Sequence, residues 1–479
     1  MNQTIPAAGY DLIVIGAGTA GLPAAIFTAR RGGRVLLLDA AEKIGGTLHL
    51  STGQLTAGGT RLQAANGIVD SPEAHFLDVM RITAGLADPV ILGRMTQLAP
   101  MTLHWLVDEG FVPLPGHPVT AGNAFSEGYN ERRCCWAEQR GRALLALLDR
   151  VLAPEIAAGR VDLRLNTRVS EVLTSDDGGV RGVRVGTGAD AVDYTGRSVL
   201  IATGGYAMNP ELFEKLTGFR PYVGRSYPFT RGDGLVMAEA AGGHLRNQNL
   251  HRAGTGSILT GSDFPSTVLG RFNTYPQERP PWEIWVNSQG LRFVNEDEPS
   301  LTRREMALLA QPDLRFVVVF DERILRESPP GVEGWTRQKM RDHFDSHQMF
   351  VRADSIADLA KRARVDAKGL ASAIASYNAA VAGGRDSLGR THLPRAIAEP
   401  PYYGIIHYGH ANTSSAGIVV DEDLRVLRRD GSAIGGLYAA GEVLGTGALM
   451  GRASLPGPLV IAAIAFGKWL GERVPIRTT

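Results

Sequence analysis

The chain has 479 residues, more than the roughly 100–200 of an ordinary single domain, so two or three structural units are expected. Its 50 Lys and Arg against 49 Asp and Glu leave a net charge of +1, without the basic excess of a nucleic-acid binder or a polybasic membrane anchor. A composition 44% hydrophobic and 21% charged excludes a disordered chain. The 58 glycines are too many for a plain helical bundle but suit phosphate loops and tight turns, which points to an α/β nucleotide binder.

The N-terminal stretch MNQTIPAAGYDLIVIG has no basic start followed by an apolar stretch and a small-residue cleavage site, so no signal peptide is expected. Asp11–Ile15 is a short β-branched run that suits a strand buried on both faces. Gly16-Ala-Gly-Thr-Ala-Gly21 follows at once and leads into a helical Leu22–Ala29. Arg34–Asp39 then supplies a second buried strand ending in an acid, which completes a βαβ unit of about 30 residues. In such a unit Gly16 permits the tight turn, Gly18 lets a pyrophosphate approach the backbone, and Gly21 lets helix and strand pack closely. The helix N-terminus favours the phosphates, and Asp39 stands where a carboxylate accepts hydrogen bonds from a ribose. An ordinary tight turn is the competing reading, and the strand before, the helix after and the acid beyond argue against it. Three features favour FAD over NAD: Glu42-Lys-Ile-Gly-Gly46-Thr47, the strand Val199–Gly205 carrying Thr203 and Gly204, and Gly436–Glu442.

Farther along, Cys134 and Cys135 are the only cysteines and are adjacent, which excludes a disulfide framework and a multi-cysteine zinc site and fits a reducing compartment. Near the C-terminus the longest apolar run, Leu459–Phe466, falls far short of the ~20 residues of a membrane span and reads as a buried helix. A soluble cytoplasmic protein is expected.

GxGxxG at the start, ATGG in the middle and LYAAGE near the end, in that order, resemble the flavoprotein family of fumarate reductases, succinate dehydrogenase flavoprotein subunits and ketosteroid dehydrogenases. Gly290–Glu296 matches that family's G-x-RF-x-NE segment, and Arg231-Gly-Asp233-Gly-Leu235 its GDG stretch. The resemblance covers nearly the whole chain. It implies an α/β, Rossmann-like FAD-binding domain built from residues 1–248 and 411–479, with an α+β capping domain at 249–410 inserted between them. Residues 256–281, rich in Gly, Pro, Ser and Thr, read as the loop-rich start of the cap. It also implies FAD contacts from Gly16, Gly18, Gly21, Asp39, Gly46, Thr47, Thr203, Gly204, Asp233, Glu442 and the backbone at Leu459. No second GxGxxG and no Cys-x-x-Cys-His follow, so a separate electron donor or acceptor is expected in place of a built-in NAD(P)H domain or c-type haem.

The resemblance breaks down at the reacting centre. Where fumarate reductases place a proton-donating Arg and ketosteroid dehydrogenases a Tyr, this chain has Ser300. Arg304, at a spacing similar to the tricarballylate dehydrogenase branch, is the substrate-contact candidate ahead of Arg303, although paired arginines are also common structural ion partners. The carboxylate-gripping His of fumarate reductases falls on Asn412 or Thr413, so the dicarboxylate clamp is in doubt. Tyr403, Tyr408 and His410 reach the site or pack a hinge. In the segment Gly445–Val460 the ketosteroid pattern of Tyr and Gly around PGP is replaced by Leu455 and Leu459, while Arg452 is either an anion partner or a structural ion pair. His251 is a further substrate candidate and Trp136 a pocket wall. The flavin-attaching His of succinate dehydrogenases aligns nearer Thr47 than His49, so FAD is expected to be non-covalent. The resulting reading is an FAD-dependent oxidoreductase that forms or saturates a C=C bond beside a carbonyl or carboxylate of a small molecule, dehydrogenation slightly favoured. Its rivals are an ene-reductase fed by a separate donor and a non-enzymatic FAD-fold escort protein.

Overall fold

Five runs rich in Val, Ile and Leu lie side by side as parallel strands, in the spatial order Ala433–Ala439, Val192–Ile201, Tyr10–Ile15, Val35–Leu38 and Val161–Arg164. The two N-terminal strands are buried along their whole length, as parallel strands covered by helices on both faces must be. Ile15 stands level with Leu38 on one side and Ile201 on the other. The C-terminal ends of these strands are therefore flush, and the turns that leave them share one edge. The connecting helix Gly21–Arg30 packs against Pro458–Gly471, the helix in which the apolar run Leu459–Phe466 lies. The computed structural model describes residues 9–120, 128–221, 226–261, 266–344, 346–411 and 413–477.

A second, antiparallel sheet has the order Ile284–Val286, Arg315–Asp321, Tyr402–Tyr408, Phe350–Ala353. Helices that include Leu301–Leu309, Ile356–Ala363 and Ala367–Val381 accompany it, and its apolar side chains form a core of their own, separate from that of the parallel sheet. The stretch 256–281, expected as a loop-rich start of the cap, contains a short antiparallel pair of strands, Ser257–Leu259 with Val268–Arg271. Three- and four-residue strands are too short for side-chain alternation to show in the sequence.

The RF-x-NE segment turns out to be a pin of the second core. Glu296 accepts from the Trp285 N–H at 3.0 Å and from Arg292 Nε at 2.9 Å, and it pairs with Arg390 at 3.3 Å. Arg292 also pairs with Asp386, while Arg279 and Glu283 form a bidentate pair close by. Removing one member of such a buried set strands a charge, at a cost of about 3–5 kcal/mol, which accounts physically for the motif.

Candidate active site

The turns leaving the flush strand ends open onto one crevice enclosing about 1410 Å³ of space, part of it open to solvent. Asp39 follows the strand Val35–Leu38, and Glu442 follows Ala433–Ala439, three strand positions away. At a strand spacing of about 4.8 Å the two strands that lead to these acids stand about 14 Å apart, so the crevice runs across the strands. All the residues expected to hold a dinucleotide line it, Gly16, Gly18, Asp39, Gly46, Thr47, Thr203, Gly204, Asp233, Glu442 and Leu459, except Gly21. Gly21 lies behind the wall, where a Cβ would run into the carbonyl oxygen of Gly16. It is the residue that lets helix and turn close.

The crevice is polar in the places a dinucleotide needs. No side chain caps the helix Gly21–Arg30, so its N-terminus presents the positive end of the helix dipole to an anion. Gly18 leaves the space beside its backbone open. Asp39 accepts from the N–H of Ala17 at 2.7 Å and of Ala41 at 2.8 Å, which leaves further lone pairs for hydroxyl groups. Burial nevertheless raises its pKa. Thr203 Oγ1 is buried without a partner. At the far end the Glu442 carboxyl accepts from the Ser414 N–H at 3.0 Å, yet burial pushes its pKa up to about 7. The residues present fit FAD. Sequence reasoning missed Tyr227 and Phe229 on one lip and Arg168, which pairs with Asp233 at 2.7 Å. No motif marks them, because they reach the crevice only through tertiary folding.

The residues expected to carry the chemistry come from several different elements. Ser300 caps the helix Leu301–Leu309, its hydroxyl accepting from the Arg303 N–H at 3.2 Å. Arg303 is exposed and pairs with Glu298 at 3.5 Å. Arg304 is 1% exposed; its Nη1 donates to the Thr274 carbonyl, its guanidinium stands 5.3 Å from the Tyr275 ring centre, and Nε and Nη2 have no partner. Desolvation lowers its pKa to about 10. Tyr403 lies within the second sheet, donating to Glu322 at 2.7 Å with Arg341 alongside. His410 is 3.0 Å from the Ser257 hydroxyl through Nδ1, and Tyr408 ends the strand Tyr402–Tyr408. Asn412 lies outside the described residues, while Thr413 lines the crevice. His49 stacks on Tyr227 at 6.0 Å, and Trp136 packs on His117. Both cysteines are buried free thiols, and desolvation raises their pKa, so neither is a thiolate nucleophile.

One juxtaposition stands out at the crossing between the two cores. Arg452 donates through Nη2 to the Asn249 carbonyl at 2.9 Å, and its Nε is buried without a partner. His251, 8% exposed, holds its Nδ1 3.3 Å from the Gln248 carbonyl and leaves Nε2 unpartnered. Burial, with the Arg452 charge nearby, lowers its pKa. Close by, the Ser454 N–H donates to Thr302 Oγ1 at 3.2 Å and ties this loop to the helix that carries Arg304.

A parallel sheet with an uncapped glycine-turn helix at its flush edge, an acid after the second strand and a second α+β core across the crevice defines a dinucleotide-binding flavoprotein. The chain belongs to the FAD binding domain family, whose model matches residues 11–455. It is 31% identical over 469 residues to a fumarate reductase (cytochrome) of Shewanella frigidimarina, covering 96% of this chain and 76% of that protein. It is 27% identical over 482 residues to the urocanate reductase of Eggerthella lenta, covering 96% and 74%. The open conformation of a flavocytochrome c3 fumarate reductase superposes with a TM-score of 0.72 at 25% identity, over 97% of this chain and 77% of that one. The protein is an FAD-dependent oxidoreductase acting on carbon–carbon bonds. No helix among the described residues is long and apolar enough to cross a membrane.

Proposed function

We propose that the protein interconverts the saturated and α,β-unsaturated forms of a small organic acid or ketone, with His251 exchanging the proton and Arg452 holding the substrate oxygen. The supporting observation is the buried pair of unpartnered atoms, Arg452 Nε and His251 Nε2. A carbonyl can only accept, so the contact with Gln248 puts the imidazole proton on Nδ1 and leaves a lone pair on Nε2. Its lowered pKa keeps this lone pair free at neutral pH. A neutral imidazole beside a guanidinium suits removal of a proton next to a carbonyl, because Arg452 stabilises the enolate oxygen as charge develops there. In the reverse direction the protonated ring returns that proton.

FAD, when bound, accepts or supplies the hydride at the neighbouring carbon. Gly16, Gly18, Asp39 and Thr203 would hold its adenosine and phosphate portion, and Thr47, Glu442 and the backbone at Leu459 its other end. Residues 249–410 would cap the crevice and exclude water, with Arg304 a second anion contact whose unpartnered Nε and Nη2 await an oxygen. No substrate role is proposed for Tyr403, whose hydroxyl is committed to Glu322. A separate electron carrier would complete the cycle; the sequence contains no Cys-x-x-Cys-His haem-attachment motif.

The test is single-turnover kinetics of the FAD-loaded enzyme, with reoxidation of reduced flavin by fumarate, urocanate and a cyclic enone, and reduction by the saturated partners. His251→Gln and Arg452→Ala are expected to slow the responsive pair by about a hundredfold or more while FAD content is unchanged. Rates within threefold of wild type in both variants would overturn the assignment.

A further inference from the structure

The Tyr129–Trp136 segment is absent from the crevice wall, yet it braces that wall from behind. Arg133, 2% exposed, donates through Nε and Nη2 to Asp70 at 2.6 and 2.8 Å and through Nη1 to Asp78. Asp78 also accepts from the Asn130 N–H at 2.6 Å, so the buried ion cluster fixes the backbone of the segment. Cys134 and Cys135 pair antiparallel with Leu55 and Thr56, which makes a two-stranded platform.

Two groups on this platform reach the same atom. The Tyr129 hydroxyl donates to the Pro456 carbonyl at 3.1 Å, and the Cys134 thiol lies 3.8 Å from it. At the following residue, Gly457, a Cβ would come within 2.8 Å of Leu55 and Thr56, so the backbone rests directly on the platform. Gly457 turns the chain at φ 96° into the helix Pro458–Gly471. Leu459, Val460 and Ala463 of that helix line the crevice together with Glu442. Beneath Tyr129, His75 is fully buried, edge-on to the Tyr129 ring at 5.5 Å and 3.5 Å from Thr56 Oγ1. Burial and the Arg133 charge hold it neutral, its pKa lowered to about 3.

We propose that Tyr129 is a positioning residue which, through the Pro456 carbonyl, sets the Gly457–Val460 turn against the flavin end of the crevice and so tunes the redox balance of bound FAD. The inference rests on the FAD reading above. First-turn N–H groups of a helix lack intrahelical partners and stabilise negative charge best when held in fixed positions. The reduced cofactor carries more negative charge than the oxidised one. A turn released from its support therefore weakens binding of the reduced form more than that of the oxidised form.

Tyr129→Phe keeps the ring and removes only the donor. On the FAD-loaded full chain, without substrate, the measurements are FAD content, the visible flavin spectrum and the two-electron midpoint potential. FAD content is expected to hold, since Gly16, Gly18 and Asp39 act at the other end, while the flavin band shifts. The reduced form should be disfavoured about tenfold, which moves the potential ~30 mV more negative. If that variant does not accumulate as folded protein, Cys134→Ala, which removes the weaker contact to the same carbonyl, is expected to move the potential the same way by less. Tyr377→Phe, a buried hydroxyl of the second core, should move neither spectrum nor potential. An unchanged potential in folded, FAD-loaded Tyr129→Phe overturns the proposal, even if its melting temperature falls. Wild-type protein that never binds FAD would overturn the underlying reading instead.

Discussion

Valine at Gly18 separates the needs of the cofactor from the needs of the fold. A Cβ built at Gly18 meets nothing of the protein within 4 Å, and its φ is not in the left-handed range. The folded chain should tolerate the substitution to within about 0.5 kcal/mol. The space the side chain would enter belongs to the crevice, where a glycine at this place in the turn lets the pyrophosphate approach the backbone. A branched side chain there forfeits at least two charge-assisted N–H contacts to phosphate, each worth roughly 1.5–3 kcal/mol. The combined loss of about 3–6 kcal/mol weakens FAD binding by ~10²–10⁴-fold. Gly21→Val is the contrast, because its Cβ would collide with the backbone oxygen of Gly16 and damage the strand–turn–helix unit itself. Circular dichroism melting of the FAD-free variants and titration of each with FAD, followed by flavin fluorescence, read the two effects separately. An FAD affinity in Gly18→Val within threefold of wild type would refute the placement of the pyrophosphate. So would a Gly18→Val chain that unfolds while Gly21→Val does not.

Glu442 supplies a pH-dependent test. Its folded pKa is raised from 4.5 to about 7, so the FAD-free chain loses stability as the pH rises from about 4.5 through 7, where the folded state still holds a proton that the unfolded state has released. The penalty reaches about 3 kcal/mol above that window, taking 1.36 kcal/mol per pKa unit. Glu442→Gln should therefore raise the melting temperature relative to wild type at pH 8 and much less at pH 5, and a pH-independent difference would contradict the buried-carboxyl account. Non-covalent attachment is tested by acid precipitation. The protein is expected to release intact FAD into the supernatant, because His49 faces Tyr227 and the Ile44 carbonyl and Thr47 has no ring nitrogen to form the link; flavin retained on the precipitated chain would contradict this.

Much of the fold was legible because it depends on local rules. The strand Tyr10–Ile15, the glycine turn, the helix Gly21–Arg30 and the acid at Asp39 are contiguous in sequence, and each residue type is demanded by its own backbone geometry. The late elements were legible for a similar reason: a strand followed by Ala-Gly-Glu442 and an apolar run after PGP can each be read from one short window. The antiparallel pair of Ser257–Leu259 with Val268–Arg271 was not. Its strands are too short to display a period, and strand pairing is set by the partner as much as by the residues themselves. The lip residues Tyr227 and Phe229 were hidden for another reason, since facing a crevice leaves no trace in local propensity.

The reacting centre was the least legible part, and the two arginines at 303 and 304 show why. Both are one-letter identical, yet the 100° step between successive helical residues sends one into solvent beside Glu298 and buries the other against Thr274 and Tyr275. Helical phase decides which is buried, and phase is set by where the helix starts. That start is Ser300, whose hydroxyl accepts from the Arg303 N–H. The residue that breaks the family pattern at the reacting position is thus also the cap that fixes the orientation of its neighbours. The Ser300 hydroxyl accepts the backbone N–H of Arg303, and in the function proposed above the proton is exchanged by His251. Arg452 and His251 are remote in sequence but come together where the chain crosses between its two cores, each with a buried polar atom left unpaired. An unpaired buried polar atom is a property of the completed fold, costly unless a ligand satisfies it. In the function proposed above, these atoms take the substrate oxygen and the proton, at two residues that the sequence offers only as candidates among several.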